Sequence, residues 1–542
     1  MAEEIGNWWQ EGVFYHIYLR SFADSNGDGL GDLRGLISRL DHLAGTPESL
    51  GVDAIWLSPC TTSPDRDFGY DVADYTAIDP RYGTLEDFDT LLAEAHRRHL
   101  RVLLDLVFNH TSDQHAWFLA SRSSRENPLR DWYIWRDPAP GGGPPNNWQS
   151  VFGGSAWTWD SATRQYFLHS FLPEQPDLNW RNAAVRAALM DAARFWLERG
   201  VDGFRLDVFN AWYKHVDFPD NPPRWGLRAF DRQQHCFDVN QPEMHEALGE
   251  LRGLLDSFPN RVAVGESYLS TPEIAARYCG PRQLHMAFDF GLLHQPMSAA
   301  AIQRAVLRWQ AALAPGAWPA QVLSNHDEPR FVNRCGRHPP EAVARLQAML
   351  LLTLRGTPFI YYGEEIAQPG LRLRRGQIVD PPGRRYWPFY TGRDASRGPM
   401  QWDGSPHAGF SSAVPWLPVH PGYRSRNVAA QSRDAGSVFA FWRTLLALRK
   451  ECLALRRGTF YPLMRTPRSG LVYLRQHADE RILVALNFTP RPVRLVLDTP
   501  LSHPRWEVLL GTHSRPVEGL TTAAIDLAPY EAVLFREPAG AA

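Results

Sequence analysis

The chain is predicted to be an α/β protein: a (β/α)8 barrel with a subdomain inserted after the third strand and a C-terminal antiparallel β domain. Three observations predict it. Eight short, continuously apolar, β-rich runs recur as far as Tyr362, the pattern of parallel strands buried on both faces. Between them lie segments with apolar residues at helical spacing, such as 84–99 and 184–199. Beyond Thr459 the pattern changes to short alternating runs: GLVYLRQ, RILVALNF, RWEVLLG and EAVLFRE.

The eight barrel strands are read at 13–19, 54–57, 102–107, 203–208, 262–266, 286–290, 321–324 and 358–362. One connection is long and not helical. It is rich in Pro, Gly and Trp, includes PAPGGGPPNNW, and is assigned to an inserted subdomain over the barrel mouth. The expected division is barrel over 1–109 and 174–458, insertion over 110–173, and C-terminal β domain over 459–542.

At 542 residues the chain has room for about three to four domains of ~150 residues, and a barrel with insertions uses most of that length. Hydrophobic residues at 44%, charged residues at 21% and a net charge of -2 fit a globular enzyme and argue against disorder. Near-neutral charge excludes a broad electrostatic grip on nucleic acid or an acidic membrane, and leaves a neutral polar substrate. Aromatic residues at 12% also suit stacking on sugar faces. The five cysteines, Cys60, Cys236, Cys279, Cys335 and Cys452, form no C-x-x-C pair and read as reduced thiols of a cytoplasmic protein. The acidic start MAEEIGNWWQEG carries no secretory signal, and no apolar run approaches the ~18 residues of a membrane span.

Polar residues stand at the strand ends, where a barrel keeps its chemistry. Strand three ends Asp105-x-x-x-Asn109-His110, strand four Arg205-x-Asp207, strand five Gly265-Glu266, and strand seven Asn325-His326-Asp327. Together they converge on one cavity with at least three carboxylates, two imidazoles and a guanidinium. No Cys/His zinc cluster, P-loop or dinucleotide fingerprint is present. Paired carboxylates with an arginine suit glycoside cleavage: one attacks the anomeric carbon, the other protonates the leaving oxygen and then activates water. Arg205, two residues from Asp207, is expected on the same strand face, keeping that carboxylate ionised. His110 and His326 are candidates for sugar hydroxyls, and Asp327 for a vicinal diol.

DLVFNH (105–110), GFRLDV (203–208), GESY (265–268) and SNHD (324–327) resemble the four signature regions of the α-amylase family of glycoside hydrolases, in the right order. QPDLNW (175–180), DFGYDVADY (67–75) and RGPMQWD (397–403) are similar to the α-glucosidase and oligo-1,6-glucosidase branch. The resemblance implies Asp207 as nucleophile, Glu266 as acid/base and Asp327 as transition-state stabiliser. It implies that Asp67, Tyr70, His110, Arg205, His326 and Arg397 bind the terminal glucose. The branch usually has Ala-Arg-Thr-Pro where this chain has Ser396-Arg397-Gly398-Pro399; the arginine is kept.

A metal loop is a separate expectation. Asp24, Asn26, Asp28 and Asp32 stand at positions 1, 3, 5 and 9 of an EF-hand-like run, with the Leu30 carbonyl at 7, but position 12 is Gly35 and not Glu. The alternative is an Asp/Gly-rich turn. The resemblance favours the metal, since the branch commonly holds structural Ca²⁺ (or Mg²⁺) in this loop.

The function expected is that of a retaining exo-acting α-glucosidase on short α-1,4 or α-1,6 glucosides. The alternatives are a glucosyl transferase or isomerase on maltose, trehalose or sucrose, and a non-catalytic binding subunit. An endo-acting amylase is disfavoured, because the insertion should wall off a pocket. Val208, next to the nucleophile, is expected to border the entrance; in the family a Val here accompanies activity on α-1,6 links. The partner expected is a small oligosaccharide, with no nucleic acid or membrane, the chain acting as a monomer or homodimer.

Overall fold

The computed structural model describes residues 7–334, 339–501, 506–515 and 523–538. Eight parallel strands close a barrel in sequential order: β1 (Phe14–Ile17), β2 (Ala54–Leu57), β3 (Arg101–Leu106), β4 (Gly203–Leu206), β5 (Val262–Glu266), β6 (Met286–Phe288), β7 (Ala320–Val322) and β8 (Thr357–Tyr361). Each predicted run overlaps one, and the third, seventh and eighth strands begin one residue earlier than the reading. The fourth stops at Leu206, two residues short of the reading, so Asp207 and Val208 stand just past the strand.

Side chains from seven of the eight strands pack inside the barrel: Phe14, Trp56, Leu103, Val264, Phe288, Val322 and Phe359 form one buried cluster. The helices start at side-chain caps. Thr84 accepts from the Asp87 amide ahead of Leu85–Arg97, and Asn182 from the Ala184 amide ahead of Ala183–Glu198. Packing is tight beside the functional end: a Cβ on Gly265 would come within 2.4 Å of the Phe209 ring and the Leu284 methyl.

Between β3 and β4 a small antiparallel sheet of Trp135–Arg136, Gln165–Leu168 and Trp157–Asp160 stands over the barrel mouth. The C-terminal part is a five-stranded antiparallel sheet ordered Thr459–Pro462, Gly470–His477, Glu480–Asn487, Ala532–Arg536 and Glu507–Gly511, with a two-stranded ribbon of Val493–Val496 and Ala524–Leu527.

Two fully buried arginines lie at the seam between this sheet and the barrel, Arg475 reaching across it from the sheet and Arg449 tying together the helical segments on the barrel side. Arg449 donates to the carbonyls of Leu352 (2.7 Å), Leu455 (2.8 Å) and Gly356 (3.0 Å). Arg475 donates to those of Thr353 (2.6 Å) and Gly458 (2.8 Å). Leu352 and Thr353 end the helix Pro340–Thr353, where partial negative charge favours cations.

Cys60, Cys236, Cys279 and Cys452 are free thiols; Cys335 lies outside the described residues. Among the described residues no helix is long and apolar enough to cross a membrane.

Candidate active site

Every singled-out polar residue at a strand end lies at the C-terminal mouth of the barrel. Asp105 is the penultimate residue of β3, Arg205 lies in β4, Asp207 follows it, and Glu266 closes β5. His326 and Asp327 follow β7, while Asp67 and Tyr70 come from the loop after β2.

Arg205 is the hub. One guanidinium nitrogen donates to Asp105 Oδ1 (2.7 Å) and to Asp207 Oδ1 (2.8 Å). The other donates to Glu266 Oε2. The far oxygen of Asp105 accepts from the Trp56 indole (3.3 Å) and the Tyr70 hydroxyl (3.2 Å). Tyr70 passes the network to His326 Nε2 at 2.7 Å.

Asp327 is held from a second direction. Arg397 donates to its Oδ1 (2.8 Å) and to the His326 carbonyl (2.9 Å). Arg393 stands 3.5 Å from the same oxygen and bridges Asp67 (2.6 Å) and Asp380 (2.7 Å). This bridge joins the loop after β2 to the loop after β8 and shuts one side of the site. Gln175 donates to Asp67 Oδ2 (3.3 Å) and lies 3.1 Å from His110 Nε2.

These groups surround a cavity of about 460 Å³, in the range of small-molecule sites. Asp67, Tyr70, His110, Asp207, Glu266 and Asp327 line it. Arg205, His326 and Arg397 lie behind that wall, each at most 2% exposed, and hold the residues that face the cavity. Val151 and Phe152 from the insertion line it as well, as the expected walling requires. The rest of the lining is mixed: Val208, Tyr268, Leu269, Phe290 and Tyr390 stand with Arg228, Ser270, Asp289, His294 and Glu328. Val208 has φ +33°, an uncommon conformation for a β-branched residue, so strand alternation does not govern its direction. It packs with Phe152 and Phe171.

The electrostatics follow from burial. Burial pushes the carboxyls of Asp207 and Glu266 up, against the pull of Arg205, and neighbouring carboxylates push the same way. Arg205 was expected to keep Asp207 ionised; burial and two neighbouring acids outweigh it. Carboxylates this close cannot all ionise, so the cluster retains a proton that belongs to the pair. For Asp327 burial is outweighed by Arg393, Arg397 and Arg205, which hold it below the usual range and charged. Burial pushes His110 down to about 4 and His326 well down, the latter helped by Arg397, so both imidazoles are neutral.

The Asp24–Asp32 loop lies apart from the cavity. Asp24 accepts from the amides of Asn26, Gly27 and Gly29 and from the Ser411 hydroxyl. Asp32 accepts from Ser25 and caps the helix Leu33–Ile37 through the Gly35 amide. Asp28 accepts from the Leu30 amide, and Asn26 Oδ1 from the Asp28 amide. These three carboxylates, with the Asn26 amide oxygen and the Leu30 carbonyl, are the all-oxygen kind that Ca²⁺ and Mg²⁺ take. Among the described residues no group of three or more His, Cys, Asp or Glu side chains is gathered for a metal.

Arg393 and Trp56 are the members of the site that sequence reasoning missed. Trp56 sits inside an ordinary apolar run, and Gly-Arg-Asp around Arg393 carries no motif.

The comparisons agree with this geometry. Residues 16–458 match the model "Alpha amylase, catalytic domain", and residues 463–534 match "Maltogenic Amylase, C-terminal domain". A "Probable alpha-glucosidase" of Rhizobium meliloti is 47% identical over 90% of this chain and 91% of its own. An "Oligo-1,6-glucosidase" of Heyndrickxia coagulans is 40% identical over 97% and 99%. Among solved structures the α-glucosyl transfer enzyme XgtA superposes with a TM-score of 0.92 at 43% identity, over 98% of this chain and 100% of that one. With a catalytic-domain match over residues 16–458, well over half of its length, the chain belongs to the α-amylase family of glycoside hydrolases.

Proposed function

We propose that the chain is a retaining, exo-acting α-glucosidase releasing glucose from the non-reducing end of short α-1,4 and α-1,6 glucosides. One observation carries this: a single guanidinium binds both Asp207 and Glu266 at the end of a pocket that Asp67 and Arg393 close. A shared arginine holds the two carboxyls at one site, as double displacement by a carboxylate pair requires, and a separation of ~5–5.5 Å is the retaining arrangement. Asp207 attacks the anomeric carbon to give a β-glucosyl ester. Glu266 protonates the departing oxygen, then takes a proton from the incoming water. Asp327, kept charged by its arginines, stabilises the positive ring of the transition state. The test is a panel of maltose, isomaltose, trehalose, sucrose and maltotriose with products followed by NMR. α-Glucose is expected first; β-glucose as first product overturns retention.

Glucosyl transfer is the second reading. Val208, Leu269, Phe290 and Tyr390 give the cavity apolar surface on which an organic acceptor can pack, and a glucosyl transfer enzyme is among the structures this chain resembles. Transfer products at high maltose decide between them.

We also propose that the Asp24–Asp32 loop holds a structural Ca²⁺, with Mg²⁺ the alternative; its all-oxygen donor set supports this. Binding stabilises the native state by mass action. Chelation is expected to lower the melting temperature more than activity at low temperature; an unchanged melting curve rejects the ion. The reduced thiols support a cytoplasmic setting, where the chain acts as a monomer or homodimer.

A further inference from the structure

We propose that Asp289 is a specificity-determining residue that binds a hydroxyl of the leaving sugar, the unit on the reducing side of the bond that is cut. The inference rests on the functional reading above and names the group that recognises the departing half of the substrate.

Asp289 directly follows β6, at the barrel end that carries the chemistry. Phe288 closes β6 and pairs in register with Glu266, the last residue of β5. Asp289 therefore stands one residue beyond the level of the proposed acid, on the neighbouring strand, and both residues line the cavity. Asp67, which helps close the glucose end, comes from the loop after β2. In the closed barrel β2 and β6 are four strands apart, on opposite sides of the axis. A glucose lodged against Asp67, with its anomeric carbon at Asp207, sends the departing oxygen past Glu266 towards the side where Asp289 stands.

The charged groups of that side otherwise have partners of their own. Arg228 donates to Asp231 at 2.8 and 3.0 Å. His294 lies 3.2 Å from Glu328. Arg308, on the helix Ala299–Ala312, donates to both oxygens of Glu273, at 2.7 and 2.8 Å. Asp289 is 7% exposed. Its Oδ1 accepts from the Gly291 amide at 3.0 Å, and among the described residues no cation pairs with it. Its Oδ2 lies over Gly291, where a Cβ would come within 2.8 Å, so the missing side chain leaves that oxygen its place. Burial pushes the carboxyl up, and the Gly291 amide and the charge of Arg308 offset this only in part. A buried carboxyl with spare lone pairs is destabilising until a donor reaches it. A neutral sugar supplies hydroxyl donors and brings no negative charge for Asp289 and Glu328 to repel.

The Gly291 bond alone would make Asp289 a turn residue, and leaving groups without hydroxyls separate the two roles. The experiment compares the full chain with Asp289→Ala and Asp289→Asn by kcat/KM on maltose, isomaltose and p-nitrophenyl α-glucoside. This constant covers the steps up to departure of the leaving group, whether water or a sugar takes the glucosyl unit next. Ala is expected to lose ~10–100-fold on both disaccharides and to stay within about twofold on the aryl glucoside, which offers Asp289 no leaving-group hydroxyl. Asn keeps an acceptor for the Gly291 amide and is expected to lower the disaccharide-to-aryl ratio by a smaller factor. An unchanged ratio in both variants overturns the proposal, and so does an equal loss on all three substrates, which marks a turn residue only. If Ala does not fold, the ratio in Asn decides. A wild type that cleaves neither disaccharide overturns the functional reading and this assignment with it. A wild type that cleaves them, with the ratio unmoved in the variants, overturns the assignment alone.

Discussion

Two buried arginine clusters divide this molecule's charge in opposite ways. At the barrel mouth one guanidinium, Arg205, serves three carboxylates: Asp105, Asp207 and Glu266. At the seam with the C-terminal sheet two guanidiniums, Arg449 and Arg475, donate among the described residues only to backbone carbonyls. Burial lowers the affinity of both seam arginines for their protons, and for Arg475 the charge of Arg449 adds to it. The mouth is over-supplied with acid and so retains a mobile proton. The seam has fixed donors on fixed acceptors and no acid to exchange with. The same side chain makes a reactive site in one place and a joint in the other, and the partners decide which.

Replacing a partner at each place separates the two. Asp207→Asn at the mouth is expected to cost on the order of 10⁴ or more in kcat. It should melt no lower than wild type, because burial already opposes the charge of Asp207. A large fall in melting temperature would make the mouth a joint too. At the seam, Arg475→Met orphans the Thr353 and Gly458 carbonyls and is expected to lose roughly 2–4 kcal/mol in urea denaturation. Its kcat should stay at the wild-type value; a matching loss of kcat breaks the distinction.

pH sharpens it further. kcat/KM is expected to be bell-shaped, falling at low pH as the Asp207–Glu266 pair takes a second proton and at high pH as it gives up the last. Because burial raises both carboxyls, each limb lies above the ~4 of free carboxylates. A pH–rate profile with its acid limb at the free value would contradict the burial argument. The smallest effect is expected from Val208→Thr, which adds a hydroxyl at the mouth. One such contact is worth roughly 1–3 kcal/mol, or ~10–200-fold in the ratio of isomaltose to maltose kcat/KM. An unchanged ratio assigns linkage preference to other residues of the mouth.

The barrel was legible because strands buried on both faces leave uninterrupted apolar runs, and Arg205, Asp207 and Glu266 because barrel chemistry sits at strand ends. The end of β4 was misplaced by two residues: Val208 is a good strand former, yet the chain turns left-handed there to seat it on Phe152 and Phe171. Arg393 was illegible because its partner across the site, Asp67, is distant in sequence, and the two meet only when the loops after β2 and β8 come together.

That closure governs traffic. With Arg393 and Asp67 barring one side and the Trp56 and Phe288 layer packed beneath, entry and exit are expected to share one mouth. The leaving sugar therefore blocks the approach of whatever follows it. Water or acceptor reaches the glucosyl ester only after the first product has gone, so turnover runs in single file. Free glucose lodged at the closed end then competes with every substrate alike, whatever its linkage.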